Sequence, residues 1–311
     1  MKPRHSILLI TYCQESMIRG CLDSILSQSI MPYEVVIADD HSPDNTWAII
    51  QEYAAQYPRV IRAYRNETNL GLFANFNKLM KQATGDFVNV VAADDFLPPG
   101  ILEKYNEFII DNQLDYNDAF IIHTNSMVLK PDGKRVLKDN SANFQPNMFE
   151  VSAFHCFWGW DTGMSSGLVK KLGYAREDVG YQADLLWNME KNALADNHYF
   201  LNEVGYIYRA NAGVSVATDH KEHLRSKRKV VKLICEQFHD RITPKMKKYF
   251  EFDDSWMLYN AEPSFKTYCN FVYHYLGMGF FPKNNIHRNP FKVLIPIWLK
   301  NILKRVAGRK Y

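Results

Sequence analysis

Two adjacent carboxylates, Asp94 and Asp95, are the residues whose type and spacing point most directly to chemistry. They end the short β-branched run that follows Asp86, which predicts a strand, and the turn sequence Pro98-Pro99-Gly100 comes soon after them. We therefore expect the pair at the C-terminal end of a strand, where ligands bind in open α/β sheets. Carboxylates there can hold Mg²⁺ or Mn²⁺, and the cation can bind a diphosphate. The alternative is a turn that only solvates the strand end.

Polar residues also follow two earlier strands of the predicted sheet. Thr11 and Tyr12 come after the apolar run at 6–10, and Asp40 comes after the strand predicted at 34–38. An aromatic ring and a carboxylate at neighbouring strand ends could stack on a base and accept its N–H. No G-x-G-x-x-G follows the first strand and no G-x-x-x-x-G-K-[ST] occurs, which argues against a dinucleotide fingerprint and a P-loop.

Alternating strand and helix patterns predict the elements that must position these residues. Strands are predicted at 6–10, 34–38 and 60–64 and in the run between Asp86 and Asp94, and helices at about 17–26, 47–57, 72–83 and 101–112. The order βαβαβαβ predicts a mostly parallel sheet with helices on both faces. Later strands are expected at 119–129, 135–137, 199–201 and 206–209, and a helix is expected to start near Asp184.

Length and composition are those of a globular protein with one large domain or two. The chain has 311 residues, of which 47% are hydrophobic and 23% are charged. Its five cysteines lack metal-ligand spacing, so we interpret them as reduced thiols of a cytosolic protein. The apolar run at 7–10 is too short for a signal peptide, and no apolar stretch reaches the roughly 20 residues of a spanning helix.

The strand-end residues belong to a combination of motifs that is specific as a set. It consists of Ile10-Thr11-Tyr12 with Glu15, Ser27-Gln28-Ser29, Ile37-Ala38-Asp39-Asp40 with Ser42, Asp44 and Thr46, Asn69-x-Gly71, and Gly85-Asp86 followed by Ala93-Asp94-Asp95 and Pro99. In this combination the chain resembles the family 2 inverting glycosyltransferases of bacterial polysaccharide type. The resemblance is dense over about the first 110 residues and thins beyond them.

The resemblance implies a fold and a division of the chain. The fold would be α/β, of the GT-A (Rossmann-like) type, with a mostly parallel sheet flanked by helices. Residues 1–215 would form the glycosyltransferase domain, with a nucleotide-sugar-binding half at 1–110 and an acceptor half at 111–215. A helical C-terminal region at 216–311 would follow.

The resemblance also implies roles for the matching residues. Tyr12 would stack on a uracil-like base and Asp40 would hydrogen-bond its edge. Asp94 would contact the ribose or sugar side of the donor, and Asp95 would ligate the Mn²⁺ or Mg²⁺ that bridges the donor diphosphate. The implied nucleotide site also includes Thr11, Glu15 and Asn69.

Two departures from the family pattern affect the donor contacts. The Asn that usually follows the Tyr is Cys13 here. The Arg that usually follows the Asn-x-Gly motif is missing from Ala74-Asn75-Phe76-Asn77.

Asp184 is the candidate catalytic base, again by resemblance. In the family an acidic residue just before an L-x-W-like helix start has this role, and Asp184 matches it although the usual preceding Glu is Ala183. The alternative is that Asp184 only stabilises the N-terminus of its helix. Arg209 and His220 are candidates for contact with the diphosphate or the metal.

The C-terminal segment is basic and amphipathic. None of the 34 acidic residues and nine of the 37 basic residues follow Glu262, so residues 1–262 carry −6 and residues 263–311 carry +9. Apolar residues recur at helical spacing from Phe291 to Val306, interrupted by Pro296. Residues 289–311 are therefore predicted to anchor the protein on the anionic inner face of a membrane. The alternative is that they pack on the protein itself.

Together these patterns predict a metal-dependent glycosyltransferase that moves a sugar from a UDP-sugar or related donor to an acceptor hydroxyl with inversion. The acceptor would be a carbohydrate or lipid-linked oligosaccharide of cell-surface polysaccharide synthesis. A sugar-nucleotide nucleotidyltransferase would need a Gly-rich, basic phosphate loop, which Cys13-Gln14-Glu15-Ser16 is not. A non-catalytic membrane-associated carbohydrate- or nucleotide-binding protein would need no base. No nucleic-acid-binding module accompanies the basic tail, so no nucleic acid partner is predicted.

Overall fold

The computed structural model describes residues 2–154, 162–210, 212 and 219–279. The chain divides into two compact units. Among the described residues, the first unit comprises 2–148, 162–178, 187–210 and 212, and the second comprises 149–154, 179–186 and 219–279. The predicted division at residue 215 stays a prediction. The predicted membrane segment, 289–311, lies outside the described residues.

Eight strands of the described chain form one sheet in the first unit. They are β1 (His5–Thr11), β2 (Glu34–Asp39), β3 (Ile61–Arg65), β4 (Phe87–Ala92), β5 (Phe120–Leu129), β6 (Arg135–Lys138), β7 (Thr162–Ser165) and β8 (Asn197–Arg209). Their order is β3-β2-β1-β4-β7-β5-β6, and β8 pairs with β5. The first four strands are parallel, β7 runs antiparallel between β4 and β5, and β8 is parallel to β5.

Ten helices occur within the described ranges. They are α1 (Ile18–Leu26), α2 (Thr46–Gln56), α3 (Leu72–Met80), α4 (Ile101–Asp111), α5 (Met148–Ala153), α6 (Ser166–Lys171), α7 (Ala183–Leu194), α8 (His220–Gln237), α9 (Pro244–Ala261) and α10 (Phe265–Gly277). The α/β class, the flanking helices and the helical C-terminal region are thus confirmed. No helix in the described part of the chain is long and apolar enough to cross a bilayer.

Strands β1, β2 and β4 are largely apolar without alternation because the sheet is covered on both faces there. Every residue of β1 and of β2 is buried. Leu9, Ile37 and Val91, on three adjacent strands, are 0% exposed and share one hydrophobic cluster with residues of α1, α2 and α4. Burial of such a side chain contributes roughly 1.5–3 kcal/mol, so this layer holds the strand ends in fixed positions.

The last strand differs from the prediction. The two short strands expected at 199–201 and 206–209 are parts of the single strand β8. Its pairing with β5 shifts register between Thr124 and Ser126. Leu201 pairs with Thr124, and Val204 pairs with the next residue, Asn125. The two residues between them, Asn202 and Glu203, are exposed. This bulge breaks the apolar pattern without ending the strand.

Candidate functional site

The C-terminal ends of β1, β2 and β4 lie side by side, because β1 pairs with both of the others. Thr11 of β1 pairs with Asp39 of β2, and Ile10 pairs with Ala92 of β4. The loops that follow these three strands therefore leave the sheet at one edge. The structure thus gathers there the predicted residues Thr11, Tyr12, Asp40, Asp94 and Asp95.

Two residues at this edge have a left-handed backbone. Cys13 has a φ of 54° and His41 a φ of 61°, each just beyond the end of a strand. The conformation costs roughly 1–2 kcal/mol for most residues and less for Asn, which explains the usual Asn at the position of Cys13. The Cys13 N–H donates to Ser42 Oγ at 3.0 Å, which ties the first loop to the second. Strain of this kind concentrates at functional sites.

Tyr12 is half-buried and contacts the loops on both sides of it. The pKa of its phenol is raised, chiefly by a side-chain hydrogen bond with Cys13, while a hydrogen bond with Asn69 acts in the opposite direction. Tyr12 and Asn69, two predicted nucleotide-binding residues, are therefore neighbours.

Asp40 organises the loop that follows β3. Its carboxylate is 3% exposed. Asp40 Oδ1 accepts from Asn66 Nδ2 and from the Leu70 N–H, both at 2.8 Å, and Oδ2 accepts from the Gly71 N–H at 2.8 Å. Gly71 has a φ of 87°, which accounts for the glycine of the Asn-x-Gly motif. The contact of Asp40 with a base stays a prediction.

Glu15 joins the first strand-end loop to the start of α2. Its carboxylate accepts the Asn45 N–H at 3.0 Å and Asn45 Nδ2 at 3.1 Å, and its own N–H donates to Asp44 Oδ2 at 3.2 Å. The described contacts of Glu15 thus support the loop, and its predicted contact with the nucleotide is not tested by them.

Asp95 is held by the end of β8. Tyr206 Oη donates to Asp95 Oδ2 at 2.7 Å, and the Arg209 N–H donates to Asp95 Oδ1 at 2.7 Å. Phe96 and Ile207 exchange backbone hydrogen bonds of 3.1 and 3.0 Å next to them. The Arg209 guanidinium lies 4.5 Å from the centre of the Phe96 ring. The last residues of β8 therefore fix the carboxylate pair at the end of β4.

Both carboxyls of the pair are harder to ionise than usual. Burial, and next the charge of Asp94, raise the pKa of Asp95 from 3.8 to about 7, against the opposing effects of Arg209 and Tyr206. Burial also raises the pKa of Asp94, and the charge of Arg209 opposes it. The structure thus brings Arg209, a predicted diphosphate contact, together with Asp94 and Asp95.

Several buried polar atoms around this edge lack partners among the described residues. They include Arg209 Nε, Thr11 Oγ1 and Gln14 Oε1. Buried polar atoms are nearly always hydrogen-bonded, so unsatisfied atoms near the strand ends indicate a ligand that supplies the missing contacts.

The residues at the end of β4 fit a hard divalent cation that is completed by a substrate. Burial raises the pKa of both carboxyls, and a bound cation would favour their ionised forms in place of the proton. Mg²⁺ and Mn²⁺ prefer such oxygen ligands. In the described ranges no group of three or more His, Cys, Asp or Glu side chains could hold a metal by itself. A bound molecule or water could supply further oxygen ligands to a cation held by these carboxylates.

Asp184 belongs to the second unit, at the start of α7. The segment before it is held by one face of α8. The Gln182 N–H donates to Ser226 Oγ at 3.0 Å, Gln182 Nε2 lies 3.3 Å from His223 Nδ1, and the Ser226 hydroxyl donates to the Val179 carbonyl. Three contacts from positions 223 and 226 therefore restrict how the start of α7 can move.

The Asp184 carboxyl is exposed to solvent, but the surrounding protein reduces its hydration. This crowding raises its pKa, while the Leu185 N–H at 2.8 Å and the charges of Lys227 and His223 oppose the shift. Lys227 is itself buried and forms an ion pair of 2.7 Å with Asp253. A carboxyl with a raised pKa suits general base catalysis near neutral pH.

His220 and Arg209 are in different units. His220 is exposed as the first residue of α8, next to Asp219, whose carboxylate caps the helix by accepting the Lys221 N–H at 3.2 Å. Contact of His220 with a diphosphate or a metal stays a prediction.

Sequence reasoning missed Tyr206 and Lys227. Tyr206 is 1% exposed, and the apolar pattern of β8 predicts that it is buried but not that its hydroxyl reaches Asp95. Lys227 is 3% exposed among the exposed residues Arg225, Arg228 and Lys229. Only its position four residues after His223, on the same helix face, distinguishes it.

Comparison with known proteins gives matches to sequences and to structures. The family model for glycosyl transferase family 2 matches residues 6–172. An uncharacterized protein of Mycobacterium tuberculosis is 44% identical over 92 residues, covering 29% of this chain and 27% of that protein. An uncharacterized glycosyltransferase of Bacillus subtilis, EpsJ, is 26% identical over 235 residues, covering 72% of this chain and 67% of that protein. The chain thus spans only 27% of the length of the first curated relatives.

Two solved structures share the fold. TarS 1-349 of S. aureus in complex with UDP-GlcNAc has a TM-score of 0.62 at 18% identity, covering 94% of this chain and 84% of that chain. The mannosyltransferase PcManGT of Pyrobaculum calidifontis in complex with GDP-Man and Mn²⁺ has a TM-score of 0.56 at 16% identity, covering 100% of this chain and 89% of that chain. At these identities the likeness is one of fold.

Proposed function

The chain belongs to glycosyl transferase family 2, and on that basis we propose that it transfers a sugar from a nucleotide-diphosphate donor to an acceptor hydroxyl with inversion. The observation that carries the proposal is the arrangement of Asp94, Asp95 and Arg209 at the end of β4. It combines two carboxylates for a cation with a guanidinium whose buried Nε lacks a partner among the described residues.

We propose a UDP-sugar as the donor. Tyr12 would stack on the base, with Asn69 beside it and Thr11 Oγ1 as a further contact. The UDP-GlcNAc bound by the structural relative TarS supports this choice. GDP-Man, bound by PcManGT, is the next donor to test.

Asp95 would hold the metal, and Asp94 beside it would contact the ribose or sugar side of the donor. Bound Mn²⁺ or Mg²⁺ would offset the charge that develops on the diphosphate as it leaves. The Mn²⁺ present with PcManGT supports such a requirement. The Arg209 side chain would contribute a second positive charge on the same leaving group.

Asp184 would act as the base. Its carboxylate would remove the proton of the acceptor hydroxyl as the oxygen attacks the anomeric carbon from the face opposite the diphosphate. The bond from that carbon to the diphosphate oxygen breaks with both electrons on the diphosphate. No covalent intermediate with the protein forms, so the anomeric configuration inverts.

The acceptor would be a carbohydrate or a lipid-linked oligosaccharide of cell-surface polysaccharide synthesis. The basic, amphipathic pattern of residues 289–311 supports a location on the inner face of a membrane, where a lipid-linked acceptor would be presented. An interfacial segment of this kind binds anionic lipid through its Lys and Arg residues and its apolar face.

Release of nucleoside diphosphate tests the proposed reaction. The full chain is incubated with Mn²⁺ and in turn with UDP-GlcNAc, UDP-glucose and GDP-mannose, with and without an oligosaccharide mixture from bacterial envelopes as acceptor. We expect release from one donor that increases with acceptor and is lost in Asp184→Asn. Release that is equal in wild type and Asp184→Asn would contradict the assignment of the base. A folded wild type that releases nothing from any donor would contradict the proposed function.

A further inference from the structure

Helix α10 is attached to the second unit by one of its faces. Phe271 and Tyr275 on this face are 0% and 1% exposed. The Phe271 ring lies 5.1 Å from that of Trp256, and the Tyr275 ring lies 5.7 Å from that of Phe252, both on α9. This face therefore supplies the hydrophobic packing of α10 on its own unit.

A second face of α10 is apolar and open to solvent. Phe265 is 75% exposed, Tyr273 is 73% exposed and Leu276 is 65% exposed. They are the three most exposed large hydrophobic side chains of the described residues. The thiol of Cys269, between them, is also exposed.

These four residues lie on one side of the helix. At about 100° per residue, Phe265, Cys269 and Leu276 fall within about 40° of one another around the axis, and Tyr273 lies about 80° from Phe265. Single exposed apolar residues are common on proteins, but a contiguous set marks an interaction surface. We call these four residues the exposed face of α10.

The chain carries charge of only one sign from the start of α10 onward. No acidic residue follows Glu262, and Lys266 on α10 is exposed. Residues 280–311, which lie outside the described residues, follow α10 directly and contain eight more Lys and Arg residues. Residues 263–311 therefore carry a strong positive charge, +9 in all.

Charge distinguishes the occupants that could cover such a face. The chain's own residues 280–311 would cover its apolar atoms and leave their positive charge unneutralised. A second copy would bring two positive segments together, which like-charge repulsion opposes. A leaflet with anionic headgroups accepts apolar and aromatic side chains at its interface and attracts Lys and Arg, so it satisfies both features.

We propose that the exposed face of α10 docks onto an anionic lipid surface. Phe265 and Leu276 enter the boundary between headgroups and acyl chains, Tyr273 lies at the interface as tyrosines commonly do, and Lys266 stays at headgroup level. The proposal rests on the membrane location proposed above and names a further surface of the chain that binds the lipid. It requires no sugar transfer.

Co-sedimentation of the full chain with vesicles tests this docking. The vesicles are phosphatidylcholine alone, or phosphatidylcholine with about one-third phosphatidylglycerol to supply anionic charge. Wild type is compared with the triple variant Phe265→Ser/Tyr273→Ser/Leu276→Ser. The matched control is Leu137→Ser/Tyr174→Ser, which removes side chains that are 50% and 60% exposed in the first unit.

We expect wild type and the control to bind the anionic vesicles alike. The triple variant should bind at least about tenfold more weakly, since three apolar side chains no longer leave water. Binding by the triple variant that equals wild type would overturn the proposal, as would a wild type that ignores anionic vesicles. A wild-type dimer that the triple variant lacks, detected by light scattering, would assign the face to a second copy instead.

A second measurement separates this proposal from the proposed reaction. The triple variant should keep the wild-type unfolding midpoint and the wild-type response to nucleotide and Mn²⁺, because it changes only exposed residues of α10. Loss of vesicle binding with the nucleotide response intact supports the docking face alone. Intact vesicle binding without any nucleotide response would count against the donor site alone.

Discussion

Replacement of Asp95 by Asn should change how the stability of the metal-free protein depends on pH. Asp95 is 2% exposed, and burial together with the charge of Asp94 raises its pKa from 3.8 to about 7. Between these values the folded protein keeps a proton that the unfolded chain has lost, so the free energy of unfolding falls as pH rises. Below about pH 4 both states are protonated, and above about pH 7 both are ionised and the loss is complete.

The size of the effect follows from the shift. The pKa of Asp95 is raised by about three units. At about 1.36 kcal/mol per unit, the full shift corresponds to about 4 kcal/mol of unfolding free energy. About half of this loss falls between pH 5 and pH 7. Because Asp94 and Asp95 interact, the proton is shared by the pair, and Asn at position 95 removes the coupling.

Asn also changes the hydrogen bonds of this position. The Asn Oδ1 can still accept the Arg209 N–H. The Asn Nδ2 replaces Oδ2 and cannot accept from Tyr206 Oη, and the loss of this hydrogen bond costs about 1–3 kcal/mol. That cost does not depend on pH over this range. It therefore cancels when the difference between wild type and variant is compared across pH values.

Urea unfolding with excess chelator, at pH values from about 5 to about 8, measures this difference. The stability of wild type relative to Asp95→Asn should fall by about 2 kcal/mol between pH 5 and pH 7. Asp86→Asn is the control, because the pKa of Asp86 is lowered by its hydrogen bonds with Arg4 and its effect is constant over this range. Parallel pH profiles of wild type and Asp95→Asn would refute the reasoning. Saturating Mn²⁺ should flatten the wild-type profile, because the metal replaces the proton.

Three further predictions concern other residues. Asp184→Asn should abolish sugar transfer while its nucleotide affinity stays within about twofold of wild type, measured by calorimetry; a large loss of affinity would contradict a role confined to proton removal. Cys13→Asn should raise the free energy of unfolding by up to about 1 kcal/mol in urea titration, because Asn tolerates the left-handed backbone there, and a destabilised variant would contradict this. Asp86→Asn should cost up to about 1 kcal/mol at neutral pH by removing the Arg4 ion pair, and the difference should vanish as pH falls through the lowered pKa of Asp86; a difference that persists in acid would show that another contact is responsible.

The parts of the site that follow from local pattern were predicted from sequence. The apolar run before Asp94 and Asp95 and the Pro-Pro-Gly turn after them predict a strand end at the pair, and β4 ends at Ala92, just before it. Because the strands are parallel and adjacent, the ends of β1, β2 and β4 lie together. This placement can be predicted without knowing any side-chain contact.

The parts that depend on distant contacts were not predicted. Tyr206 and Asp95 are 111 positions apart, and their contact exists only because β8 pairs with β5 and bridges to Phe96. The bulge at Asn202 hid the length of that strand. Lys227 is buried because Asp253 of α9 neutralises it, and no sequence pattern of α8 contains that partner.

Thermal stabilisation by nucleotides tests the donor site most directly. Wild type and Asp95→Asn are heated with Mn²⁺ and with UDP, GDP, TDP or CDP at about a hundred times the dissociation constant, where binding adds about 2.7 kcal/mol. The account predicts stabilisation of wild type by one diphosphate, most strongly by UDP, that requires Mn²⁺ or Mg²⁺ and is lost in Asp95→Asn. Folded wild type that no nucleotide stabilises, or an equal shift in Asp95→Asn, would contradict it.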